Sequence, residues 1–180
     1  VRPFPAPGPT LQCAFDDLHL AATGTDDQVA ALGDLADLPR PWDPATCPDP
    51  DLRRELWAWL DAVATWLITE YTWDVTDAVI PACWPQHPHL VHDLAVLADQ
   101  RRRAGTALTS NAVEEWHRYA LPAFTDRTRA HCREHCDQSH QPWPVIGRHA
   151  RHHGDAGRVT RSTTLAHDLD AVSWAGSSVR

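Results

Sequence analysis

Apolar residues recur at helical spacing in three stretches of the chain. Between 51 and 74, Leu52, Leu56, Trp59, Leu60, Val63, Trp66 and Leu67 fall on one face, while Trp57, Ala64 and Ile68 lie off it. A helix that is apolar on more than one side predicts a central place in a bundle. Pro50 suits the first helical position, and Asp49 or Asp51 could cap it. The tryptophans here are read as core, because aromatic burial needs no ligand to explain it. The second stretch opens at Pro88 and carries Leu90, Val91, Leu94, Ala95, Leu97 and Ala98 on one face. It closes on Arg101, Arg102 and Arg103 with Gly105 beyond, the expected signals of a helix C-terminus. The third begins near Ser110 or Asn111, and Asn111 with Glu114 has the spacing of a capping box. Val113, Trp116, Tyr119 and Ala120 form its inward stripe, Pro122 predicts a kink or break after Leu121, and the pattern resumes through Phe124 and Thr128 to Cys132 and Cys136. Between the first two stretches, Pro81, Pro85 and Pro88 forbid an uninterrupted helix.

The flanks carry weaker patterns. Residues 1–50 read as a proline-rich acidic leader, mostly irregular. Pro3, Pro5, Pro7 and Pro9 fix φ and lack N–H groups, which favours an extended polyproline-like stretch. Val29, Leu32, Leu35, Ala36 and Leu38 allow a short acidic helix, and five prolines from Pro39 to Pro50 end it. Residues 141–180 show no sustained apolar period and read as a flexible tail, with Leu165, Leu169, Val172 and Trp174 spaced for a short docking helix. The expectation is an all-α fold: a small bundle of three to four helices in a core at 51–140, with disordered or loosely docked N- and C-terminal segments.

Charge changes this picture little. The net charge is −8, but residues 1–99 hold 4 Arg against 16 Asp/Glu, and residues 100–180 hold 12 Arg against 8. The acidic half argues against phosphate contact there, and a solvated helix face accounts for the weakly basic half. Every basic residue is arginine, a bias expected of a GC-rich gene. The most apolar run, Leu56 to Ile68, is interrupted by Asp61 and is too short to span a bilayer. The N-terminal run has no apolar stretch of signal-peptide length. With five cysteines, an odd number, the expectation is a cytoplasmic, reducing setting with thiols free or on metal.

Chemistry concentrates in two places. His131-Cys132-x-x-His135-Cys136 places two i,i+4 pairs on a helix, and each pair can grip one metal from one side. Cys83 and His87, also four apart, could supply the remaining ligands of a four-coordinate structural zinc. The candidate site is therefore Cys83, His87, Cys132 and either His135 or Cys136. His140 is set aside, because eight residues from Cys132 is about 12 Å along a continuing helix. A metal-free helix end is the favoured reading, and zinc on these residues is the alternative to it. Glu115 and His117, with His87, are the candidates for acid–base work if a pocket collects them. There is no phosphate loop, nucleophile elbow or H-E-x-x-H motif.

The run Pro81-x-Cys83-Trp84-x-x-His87-Pro88, a Leu-rich helix, then Glu115-Trp116-His117-x3-Leu121-Pro122 and Cys132, with Trp59-x6-Trp66 upstream, resembles a family of uncharacterised actinobacterial proteins carried on plasmids, integrative elements and phages. The likeness covers about residues 52–140. It implies an accessory role in a mobile element and supplies no catalytic residues. The functional expectation is a non-enzymatic helical binding protein with a protein partner, contacted through Trp42, Trp143 and Trp174. The alternatives are a zinc-stabilised nucleic-acid-binding domain using Arg101–Arg103, and an enzyme using His87, Glu115 and His117.

Overall fold

A computed structural model describes residues 1–72, 80–132, 136, 140 and 147–177, and among them the regular structure is all helix. Two units separate, residues 1–140 and 141–180.

The first unit is built on two long helices. Helix α3 (Pro50–Tyr71) starts where its sequence says it should, with Pro50 in the first turn and the Asp49 carboxylate accepting from the N–H groups of Asp51 and Leu52. All seven residues of the predicted face are buried, and Ala64 joins them. Helix α4 (Pro88–Thr106) buries its whole predicted face too. The middle of the unit is α4 rather than α3. It packs against α3, against the 3₁₀ turns Pro44–Thr46 and Trp84–Gln86, and against everything that follows it up to Cys132.

The described residues hold more helices than the three to four expected, because the leader adds helices to the first unit and the tail forms its own in the second. Helix α1 (Pro9–Thr23) packs on α3 and places Leu11, Ala14 and Phe15 in the core. These positions have helical spacing, and Pro9 lies in the first turn, where its missing N–H costs nothing. Density of proline thus marks the entry to this helix rather than an irregular leader. The short α2 (Asp26–Ala31) carries a complete capping box between Thr25 and Gln28. Cys47, fully buried, and Trp42, half-buried, pack against the same core.

The third predicted helix departs from its pattern in two ways. Asn111 does not cap: Ser110 holds the N-cap position, with no side-chain bond. Pro122 does not break the helix either. Helix α5 (Asn111–Glu115) passes into a π-helical turn (Trp116–Ala120) and on into α6 (Leu121–Cys132). In this wider turn the N–H of Leu121 reaches back five residues to the Trp116 carbonyl, and the chain enters Pro122 without a break. The register shift also rotates the stripe. Trp116 stays buried and donates its indole N–H to the Leu97 carbonyl at 3.2 Å, but Tyr119, expected inward, is exposed.

The second unit holds α7 (Gly147–His153) and α8 (Asp155–Ser177), which pack on each other. The tail is therefore helical where described, and Leu165 and Leu169 are exposed on α8. No helix of the described residues is long and apolar enough to cross a membrane.

Candidate metal centre

The turn between α3 and α4 and the chain beyond α6 meet at the N-terminal end of α4. Cys83 is held at the entry of the Trp84–Gln86 turn, whose ring packs on Trp57 at 5.5 Å. His87 occupies the N-cap position of α4 just before Pro88, without a side-chain cap bond, and Pro85 and Pro88 restrict the backbone that presents it. From the other side come Cys136 and His140. One donor atom from each of these four residues lies within 4.8 Å of the other three, in a group that could hold a metal ion.

The spacing suits a tetrahedral ion. With metal–sulfur of about 2.3 Å and metal–nitrogen of about 2.05 Å, a tetrahedron separates S from N by roughly 3.6 Å. His87 Nε2 lies 3.4 Å from Cys83 Sγ and 3.2 Å from Cys136 Sγ, and Cys136 Sγ lies 4.0 Å from His140 Nδ1. The first three residues are partly buried and His140 is exposed.

Without an ion, the surroundings of the group favour the neutral forms of its thiols and of a neighbouring imidazole. Burial and the neighbouring Cys136 push the Cys83 thiol up from its ordinary value. Burial, Cys136 and Cys83 do the same to Cys132. Burial, then the charges of His131 and His87, lower His89. Thiols and imidazoles packed this closely resist charging together, and a dication at their centre would reverse that.

Of the residues singled out from sequence, Cys83, His87 and Cys136 lie in the group, and His135 lies outside the described residues. Cys132 is half-buried nearby but is not one of the four. The fourth position is taken by His140. The sequence argument against His140 is its distance from Cys132, which does not belong to the group. Helix α6 spans Leu121–Cys132, and Cys136 has φ +61°, a left-handed conformation that a cysteine rarely adopts. A signal was present: Cys83-x3-His87 and Cys136-x3-His140 are the same motif twice.

The other candidates are placed elsewhere. Glu115 is exposed and lines a cleft of about 390 Å³ with Gln100, Arg103 and Tyr119. His117 Nε2 pairs with the Tyr71 hydroxyl at 3.0 Å. His87 sits thirteen residues before Gln100 on α4, roughly 20 Å along the helix, so the three are not brought together. Of the arginine triplet, Arg101 lies over the rings of Phe4, Trp66 and Trp116, and Arg102 lies 3.7 Å over Phe15. Arg102 and Arg103 also bind the buried Asp99 carboxylate at 2.9 and 3.0 Å. Arg101 and Arg102 are partly buried and engaged within the fold, whereas Arg103 is largely exposed, so the triplet offers less free charge for phosphates than its sequence suggests. Trp143 lies outside the described residues, as does the side chain of Trp174.

Comparisons with known proteins give no matching family model, no matching curated protein and no matching solved structure.

Proposed function

We propose that the chain is a zinc-stapled, non-enzymatic helical binding protein. Cys83 and Cys136 act as thiolate ligands, and His87 and His140 as neutral imidazole ligands. One observation carries this: two Cys-x3-His pairs from segments about fifty residues apart bring their donor atoms within 4.8 Å of one another. Four protein ligands leave no open position for substrate, the arrangement of structural rather than catalytic zinc. The ion's role is to tie the turn before α4 to the chain beyond α6. The setting in an actinobacterial mobile element is supported by the motif resemblance across residues 52–140, and a protein rather than nucleic-acid partner by the engagement of Arg101 and Arg102 with rings inside the fold.

Cobalt tests the site. Titrating the metal-stripped protein with Co²⁺ is expected to give the visible bands of a tetrahedral ion and a thiolate charge-transfer band, saturating at one equivalent and abolished by Zn²⁺. Weak octahedral bands without charge transfer would refute it.

A further inference from the structure

The first eight residues lie along α3 in a register that resembles peptide recognition. Trp66 Nε1–H donates to the Arg2 carbonyl at 3.1 Å, and Trp59 Nε1–H donates to the Pro5 carbonyl at 3.0 Å. The Arg2 N–H donates to Glu70 at 3.2 Å, and the Leu11 N–H to Glu55 at 2.9 Å. As the segment runs from 2 to 11, its partners on α3 run from 70 to 55, so the two are antiparallel.

The spacing matches two different helices. Carbonyls three residues apart in a polyproline helix are about 9.3 Å apart, and side chains seven apart on an α-helix are about 10.5 Å apart. Two indole donors on α3 are therefore set to read one turn of a proline-rich strand. Between them sits Phe4, edge-on to Trp66 at 5.1 Å and to Trp59 at 6.3 Å, with the Arg101 guanidinium over its ring at 5.5 Å. Gly8 closes the register: a Cβ there would meet the Glu55 carboxylate at 2.6 Å.

We infer that the Trp59–Trp66 ridge of α3 is a recognition groove for extended peptides of the pattern Pro–aromatic–Pro on a partner protein, closed in this structure by the chain's own Pro3-Phe4-Pro5. The contacts use backbone carbonyls, an aromatic anchor and a cation, which is how aromatic-lined grooves bind polyproline ligands. None of them requires the ligand to be part of the same chain. The chain's own segment acts at high effective concentration and sets the threshold that a partner must exceed. The inference deepens the binding-protein reading by naming the partner's chemistry, and it does not rest on the metal.

The probe is a labelled peptide, Val-Arg-Pro-Phe-Pro-Ala-Pro-Gly, added to the full chain carrying Phe4→Ala, which removes the internal anchor. Saturable one-to-one binding is expected, at least about tenfold tighter than to the wild-type chain, and at least about tenfold weaker for a peptide with alanine in place of phenylalanine. Adding Trp66→Phe, which keeps a ring but removes the donor, weakens binding roughly five- to tenfold. A folded Phe4→Ala chain that ignores the peptide, or binds it regardless of either change, overturns the inference. If that variant does not fold, the wild-type chain serves: excess peptide must shift the indole N–H resonances of Trp59 and Trp66, and no shift at millimolar peptide overturns it. Loss of peptide binding with cobalt binding intact would remove this inference and leave the zinc site standing.

Discussion

Exchanging Cys136 for serine is expected to leave the purified protein without zinc and to lower its thermal midpoint by on the order of 10 °C. Cys136 stands between its two nitrogen neighbours, His87 and His140, so losing its sulfur removes the shared corner of the site. The metal closes a loop comparable to that of a long-range disulfide, worth about 3–4 kcal/mol. In a domain of this size each kcal/mol moves the midpoint by about 2–4 °C. The fold should survive, because α1, α3 and α4 share an apolar core that does not include the site. Neighbouring cysteines discriminate the ligand set. Cys132→Ser should keep one ion per chain, and so should Cys13→Ser, whose thiol is exposed on α1. His140→Ala should weaken metal binding without abolishing it, since water can occupy a fourth position. Metal content and calorimetry of the four variants decide the matter. A Cys132→Ser protein without zinc would mean the wrong sulfur has been assigned.

Replacing Trp66 by alanine should cost about 3–5 kcal/mol, comparable to or larger than the effect of losing the metal. Trp66 is 6% exposed and sits where three elements meet. Its ring touches Phe4, Tyr71 and Trp116 with centroids 5.1, 5.1 and 6.4 Å away, and Arg101 lies over it at 5.8 Å. Truncation opens a cavity, leaves the Arg2 carbonyl without its donor and strips one face from a partly buried cation. Trp66→Phe retains much of the packing and should lose roughly 1–2 kcal/mol. Denaturant unfolding measures both. Equal, small losses for the two variants would show that α3 is not organised around this ring.

Much of the fold was legible because burial dictates period. The inward faces of α3 and α4 follow from residues at i, i+3, i+4 and i+7, and every one of them is buried. What escaped involved local rules overridden by neighbours. Leu11, Ala14 and Phe15 had the same spacing, but the prolines before them suggested an irregular leader, although a proline in the first turn of a helix is favourable. Tyr119 was assigned inward on an α-helical period that the π turn at Trp116–Ala120 does not keep. The arginine triplet showed its helix-end position in sequence, but its stacking on Phe4, Trp66, Trp116 and Phe15 depends on tertiary contacts between segments far apart.

The candidate site was legible in its chemistry and less so in its membership. Cys83 and His87 are paired by their four-residue spacing, and Cys136 by the same spacing from Cys132. His140 escapes when its distance is taken from Cys132, eight residues away, whereas its partner in the group is Cys136, four away, a spacing that a single helical turn already brings to one face. Trp59 and Trp66 read as core, which they are, but their indole N–H groups also need acceptors, and the leader supplies them.

X-ray absorption at the zinc edge of protein purified without chelators tests the metal centre most directly. Two sulfur scatterers at about 2.3 Å and two nitrogens at about 2.0–2.1 Å, with one zinc per chain, are what the Cys83–His87–Cys136–His140 group requires. A protein that retains no zinc, or a shell of nitrogen and oxygen with no sulfur, would contradict it.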